Sequence, residues 1–316
     1  MIRFSTGRGF PLPLIYFQAV KEKMQRRFPN RVLPYILLSP SIVIVIIFLI
    51  VPTVQSIYMS FFRVSPFGDR KFFVGFENFT RLFQSSAYLH SLIITLIFAV
   101  LVVLIGLSLG TVIAALLNQK LRGLFIYRTF FIWTYAISPA IAGTIWALMF
   151  NPSSGPIVYI IRSITGIGIN WMTDRNLALA VVVIAASWKM MGYNIIFYLA
   201  GLQAIPEELL ESASIDGASG VTKFFKIILP LLSPTTFFLL IMNMLYAFFD
   251  VFGIIDIMTK GGPGDATELL VYKLYRDGFI SMNTGFASAQ SVVLFIFVAI
   301  LTVLQFKYTE RKVFYG

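Results

Sequence analysis

Ionisable and amide side chains set inside long apolar runs are the groups in this chain best placed to act on a solute. Lys189 sits about halfway along one such run, in Ser187-Trp188-Lys189-Met190-Met191-Gly192-Tyr193-Asn194. The next run offers Asn243, Tyr246 and Asp250 at three- and four-residue spacing, hence on one helical face. A charged side chain at mid-membrane costs about 2.5–3.5 kcal/mol on insertion scales, so it persists where it finds a partner or lines a wet cavity. Two readings are open. In one, Lys189 pairs with Asp250 or with backbone carbonyls and ties the runs together. In the other it faces a cavity and attracts a phosphate, Asn194, Asn243 and Tyr246 bind hydroxyls, and Trp188 or Tyr193 packs on a carbon skeleton.

A second group of residues lies between those two runs. It begins Pro206-Glu207-Glu208-Leu209-Leu210-Glu211-Ser212-Ala213-Ser214-Ile215-Asp216-Gly217 and continues to Leu229-Pro230. Proline at a first helical position with carboxylates in the first turn starts a helix well, because the missing N–H would be unpaired anyway and acids suit the positive end of the dipole. Gly217 can stop it. The spacing predicts a helix over Pro206 to Asp216, a glycine bend, and a second short helix feeding straight into the following run. Glu207 and Glu211 then share a face. An acidic, ordered segment of this kind suits docking to a cytoplasmic partner.

Other chemistry is largely excluded. There is no cysteine and a single histidine, His90, which removes disulfides, Cys/His zinc sites, thiol nucleophiles and any Ser-His-Asp triad that does not use that ring. The nucleotide-cradling G-x-x-x-x-G-K-[ST] pattern is missing, as are H-E-x-x-H and G-x-S-x-G. The stretch Thr259-Lys260-Gly261-Gly262-Pro263-Gly264 reads as a loop. Gly106 and Gly110 form one G-x-x-x-G, which permits close helix approach. Asn78-Phe79-Thr80 matches a glycosylation sequon.

The elements that must hold these groups are membrane helices. Of 316 residues 58% are hydrophobic and 12% charged, against about 45–50% and 25% in soluble domains. About 20 apolar residues cross a bilayer as a helix, and six runs qualify: Tyr35 to Ile57, Ser91 to Leu117, Ile126 to Phe150, Leu177 to Leu202, Ile227 to Ile255 and Phe286 to Phe306. The net charge of +11 marks topology and not nucleic-acid binding, because the basic residues flank the apolar runs. With the N-terminus inside, 15 Lys and Arg lie on the cytoplasmic side and 9 outside, and Lys189 falls within a span. Both termini are then cytoplasmic. Residues 1–34 form a basic tail, 35–306 the six-helix domain and 307–316 a short tail. In the first tail Leu14, Phe17, Val20, Met24 and Phe28 recur at helical spacing among basic residues, as in a helix lying on the inner membrane surface. The first run lacks a small-residue cleavage site, which makes it an anchor and not a signal peptide.

The docking segment also carries a family resemblance. E-A-A, three residues, G, nine residues, I-x-L-P is the cytoplasmic signature of permease subunits of ATP-binding-cassette importers. Here it reads Glu211, Ser212, Ala213, Gly217, Ile227, Leu229 and Pro230, departing only at Ser212. Phe73-Val74-Gly75-Phe76-Glu77-Asn78-Phe79, Asn151-Pro152 and Thr259 to Thr267 resemble the carbohydrate-type branch. Val64 to Gly68, Tyr246 to Asp250, Tyr272 to Phe279 and Ser288 to Leu294 are similar to one of the two permease types of bacterial glycerol-3-phosphate importers. The resemblance covers nearly all of the chain from Leu33. It implies an all-α integral membrane protein with the type I importer permease fold and six transmembrane helices, in the bacterial inner membrane. Coupling helices at about 204–226, with Glu207, Glu211, Ala213, Asp216, Gly217, Leu229 and Pro230, would dock on the ATPase. The implied partners are a sister permease, two ATPase subunits and an extracytoplasmic binding protein. The chain itself would be no enzyme and would need no cofactor, since ATP and magnesium belong to the ATPase subunits. The implied cargo is sn-glycerol-3-phosphate or glycerophosphodiesters. Sugar permeases share most of these blocks, so a disaccharide or oligosaccharide permease is the alternative within the family, and a gradient-driven secondary transporter the alternative from another class.

Overall fold

The computed structural model describes residues 32–65, 70–119 and 123–309. The surface helix expected within residues 14–28 lies outside them. So do Pro66-Phe67-Gly68 and the basic residues Lys120, Arg122, Arg311 and Lys312 that entered the topology argument. The chain divides into two units, Met1–Gln55 and Ser56–Gly316.

Four described helices are each long and apolar enough to cross a bilayer: α1 (Leu33–Met59), α3 (Ser86–Leu117), α7 (Arg175–Gln203) and α13 (Thr284–Thr309, apolar to Lys307). Two further apolar stretches are bent pairs, α4 with α5 (Leu124–Ala136 and Pro139–Met149) and α9 with α10 (Gly220–Leu231 and Ser233–Asp250). Shorter pieces are the hairpin of β1 (Phe62–Val64) and β2 (Lys71–Phe73), α2 (Glu77–Gln84), α6 (Pro156–Thr165), α8 (Glu207–Ile215), α11 (Phe252–Met258) and α12 (Leu270–Tyr275), which runs on into a wide turn over Arg276–Ile280.

Both bends correct the straight spans expected from hydropathy. Between α4 and α5 the chain turns by 110°. The cause is local: a residue before proline is driven out of the helical region, and Ser138, extended at ψ 153°, precedes Pro139 at the first helical position. The Ser138 hydroxyl accepts from the Ile141 N–H at 3.3 Å and starts the new helix. Between α9 and α10 the turn is 67°, so α9 does not run straight into α10 as expected. Pro234 has no N–H to give the Pro230 carbonyl, and the Ser233 hydroxyl donates to that carbonyl at 2.6 Å.

Within the second unit α3 and α7 pack along their lengths and α10 lies against both. The core falls in two clusters. One holds Phe98, Val102, Val182, Ala185, Ala247 and Ile254 among others. The other joins Ala114, Leu117, Ile195, Tyr198, Leu199 and Leu239. The sequon asparagine, Asn78, is 5% exposed. Its amide donates to the carbonyls of Ser60 and Phe62 at 2.8 and 3.0 Å, so it pins β1 to α2 and is spent as a glycan acceptor.

Charge is also buried at the opposite end of α10 from α8. Glu268 is fully buried, with Arg276 at 2.5 Å and Lys273 at 3.7 Å, and the Ser91 hydroxyl donates to it at 3.5 Å. Lys273 also meets Asp277 at 3.7 Å, and Asp277 accepts from Gln290 at 2.6 Å. One network therefore ties α3, α12, the turn after it and α13. Burial pushes the Glu268 carboxyl above the ordinary range, against the pull of Lys273 and Arg276 in the other direction.

Candidate functional site

Helix α7 begins at Asp174, whose carboxylate accepts the N–H groups of Asn176 and Leu177 at 2.9 Å. That start and the unbroken run after it put Lys189 near the middle of a 29-residue helix. Opposite stands the kinked end of α4. The approach is close because residue 192 is glycine: a Cβ there would lie 2.6 Å from the Thr134 hydroxyl and 2.9 Å from the Ile132 carbonyl. Lys189, one turn away, therefore reaches the same helix end. Its Nζ donates to the Tyr135 carbonyl at 3.2 Å and stands 5.6 Å from the centre of the Tyr135 ring. A cation at the carbonyl end of a helix is favourably placed with respect to the dipole.

Lys189 also lines a cavity of about 480 Å³ between α4, α5, α7 and α10. From α7 the wall takes Lys189, Met190 and Tyr193, and from α10 Met242, Leu245, Tyr246, Phe249 and Asp250. The last five sit at i, i+3, i+4, i+7 and i+8, one continuous face. Tyr135 and Pro139 close the side at the break. The cavity thus carries a cation, a carboxylate and several aromatic rings. Tyr135 and Tyr193 lie 5.4 Å apart between ring centres. The Tyr246 hydroxyl is buried and has no hydrogen-bond partner among the described residues. Lys189 forms no salt bridge with Asp250, so the carbonyl partner is the one the structure supplies.

Three of the residues grouped with a cargo site in the sequence do not line this cavity. Asn194 and Asn243 are fully buried and bonded to each other: Asn194 Nδ2 donates to Asn243 Oδ1 at 3.1 Å, and Asn243 Nδ2 donates to Asn194 Oδ1 at 2.6 Å. Asn243 lies beside the Met242-to-Asp250 face and not within it, so it turns towards α7 and α3. The G-x-x-x-G of α3 makes room for this pair, since a Cβ on Gly106 or Gly110 would lie 2.9 Å and 2.7 Å from atoms of Asn194. Trp188 packs edge-on against Trp146 at 5.7 Å, in the core and away from the cavity wall. The sequence reading missed Tyr135 and the α4–α5 break, although Ser138-Pro139 was the available signal.

The acidic segment forms the expected helix within a residue at each end, α8 over Glu207–Ile215 with Pro206 before it. It ends at Asp216, followed by Gly217 at φ +78°, a left-handed residue that glycine adopts without a side-chain penalty. The Ala218 N–H then donates to the Ala213 carbonyl at 2.9 Å. Ala213 is buried, while Glu207, Glu211 and Asp216 are exposed. Ile215 is 87% exposed, an apolar side chain at the tip of the turn. Lys223 of α9 donates to the Ser214 hydroxyl at 2.8 Å and braces the two helices. Leu229 is half-buried and Pro230 exposed at the start of the 67° bend.

Residues 106–315 match the family model described as binding-protein-dependent transport system inner membrane component. The chain is 48% identical over 289 residues to the sn-glycerol-3-phosphate transport system permease protein UgpA of Brucella suis biovar 1, covering 92% of this chain and 98% of that one. It is 45% identical over 285 residues to the protein of the same name in Yersinia enterocolitica, covering 90% and 96%. Among solved structures, a chain of a bacterial ABC transporter involved in import of the acidic polysaccharide alginate superposes with a TM-score of 0.78 at 22% identity, covering 94% of this chain and 99% of that one.

Proposed function

The chain belongs to the binding-protein-dependent transport system inner membrane components, and from that premise we propose that it is the permease that carries sn-glycerol-3-phosphate, or glycerophosphodiesters, across the inner membrane. The observation that carries this reading is the near full-length identity to permeases named for that cargo. The cavity suits such a cargo. Lys189 offers an ammonium for a phosphate, Asp250 and the Tyr246 hydroxyl offer partners for hydroxyl groups, and Tyr135, Tyr193 and Phe249 offer apolar faces for the carbon chain. An ammonium in a poorly hydrated cavity acts on a dianion more strongly than it would in water.

In this reading the path lies between this chain and a sister permease, and an extracytoplasmic binding protein delivers the cargo. Two ATPase subunits bind ATP and magnesium and take α8 into a groove, so this chain performs no hydrolysis itself. Both termini are cytoplasmic, which puts α8 on the ATPase side. The bend between α9 and α10 then links docking to the cavity, because α10 supplies half of the cavity wall.

The test is ATPase activity of the reconstituted complex with glycerol-3-phosphate, glycerophosphodiesters and disaccharides, each with its binding protein. Stimulation by the phosphorylated compounds supports the proposal. Stimulation by disaccharides alone overturns the cargo, and gradient-driven uptake by this chain alone overturns the class.

A further inference from the structure

Helix α6 has no part in the cavity or the docking segment, yet it is built with care. Ile157, Ile160, Ile161 and Ile164 recur at i, i+3, i+4 and i+7, the stripe of an amphipathic helix. Ile160 and Ile164 are 54% and 80% exposed, Ile157 and Ile161 are half-buried with Ile157 packed on the core, and Val158, off the stripe, is buried. Tyr159 and Arg162 occupy the side away from the stripe, and both are exposed.

The segment is held rigidly at both ends. Asn151 Oδ1 accepts the N–H groups of Ser153 and Ser154 at 3.0 and 3.1 Å, and the Gly155 N–H donates to the Asn151 carbonyl at 2.8 Å. A Cβ on Gly155 would lie 2.5 Å from the Asn151 nitrogen, so only glycine permits this hook. Past the helix, Trp171 is 1% exposed and its indole N–H donates to the Phe150 carbonyl at 2.7 Å. A loose linker would need none of these bonds.

Its place along the chain identifies what the stripe meets. α5 ends at Met149 and α7 starts at Arg175, so α6 links the bent apolar pair α4–α5 to the long apolar helix α7. The exposed apolar surface continues on either side of it, through Leu148 and Met149 before and Ile167 and Met172 after. We propose that α6 is an interfacial anchor, with Ile160 and Ile164 in the acyl-chain boundary, Arg162 at headgroup phosphates and Tyr159 at the water side. A protein subunit covering the stripe is the alternative occupant.

Because the chain has no cysteine, a nitroxide can be attached to it at one position at a time. The test uses Ile160→Cys, Ile164→Cys and Arg162→Cys in the full complex, reconstituted into phosphatidylethanolamine and phosphatidylglycerol vesicles. Collision rates with oxygen, which partitions into lipid, and with a water-soluble nickel chelate are then compared. The expected result is a severalfold higher oxygen-to-nickel ratio at residues 160 and 164 than at 162. Equal nickel accessibility at all three places the helix in water and overturns the proposal. Shielding of 160 and 164 from both reagents means that a protein subunit covers the stripe, and overturns it as well.

Discussion

Asn194 and Asn243 exchange two amide hydrogen bonds, of 3.1 and 2.6 Å, inside a core that neither reaches out of. Asn243 also donates to the Leu239 carbonyl of its own helix at 2.8 Å. The pair clasps α7 to α10 under the two glycines of α3. Truncating one partner strands a buried amide, which costs about 1–3 kcal/mol. Asn194→Ala and Asn243→Ala should therefore each lower stability by about that amount, and the double variant by less than the sum. Gly106→Ala should cost a similar amount by overpacking, about 1–3 kcal/mol. Unfolding of the purified complex reads all four. Strictly additive losses, or transport per folded complex that falls with the stability unchanged, would return the asparagines to a cargo site.

Much of this was legible because the determinants are local. Four of the six apolar runs appear as single helices near their expected positions and two as bent pairs, and Pro206, the two glutamates and Gly217 announce α8 in the order that helix start and stop signals require. The bends are less legible, since a hydropathy window passes over Ser138-Pro139 and Pro230 to Pro234 without registering the lost backbone bonds. The cavity was half visible. Spacing puts Lys189 and Tyr193 on one face of α7, and Tyr246 and Asp250 on one face of α10, but it cannot say which flank of each helix faces the neighbouring helix. Asn194 and Trp188 sit one residue to either side of the wet face of α7 and went into the core. The Glu268 network depends on residues 177 positions apart in the chain, as in Ser91 to Glu268, and no local pattern encodes it.

Just before α12, pH should act through Glu268. Burial raises its carboxyl in the folded protein. A carboxyl raised on folding contributes stability that is full below its ordinary value and is lost as pH rises through the raised one. Glu268→Gln keeps a neutral side chain at every pH. The Tm of the wild-type complex should accordingly fall relative to that of Glu268→Gln as pH is raised from the acid side. A wild-type Tm that rises relative to Glu268→Gln with pH would show that Lys273 and Arg276 dominate and hold the carboxyl ionised, and a constant difference would mean that burial and the two cations cancel.

Docking should depend on charge at one face of α8 and on backbone geometry at its end. Glu211→Lys reverses an exposed charge without touching the core. Gly217→Val forces a branched side chain into a left-handed conformation, which costs about 1–2 kcal/mol, at a position where no neighbouring atom crowds it. Both variants should insert normally and hydrolyse ATP without matching uptake when assembled. Uptake equal to wild type at equal expression would reduce α8 to a solvated turn.

The ammonium of Lys189 has two claims on it, the Tyr135 carbonyl at 3.2 Å and whatever enters the cavity. Lys189→Gln keeps a donor for the carbonyl and most of the side-chain length, so the end of α4 should stay in place while the charge disappears. If the charge serves the cargo, glycerol-3-phosphate uptake should fall by more than tenfold, with basal ATPase activity and Tm close to wild type. Asp250→Asn separates the roles further. Asp250 makes no salt bridge to Lys189, so its neutralisation should leave stability intact and alter cargo preference alone. Loss of yield and Tm in both single variants, with recovery in the double, would mean instead that the two charges support each other in the fold and that the cargo site lies elsewhere.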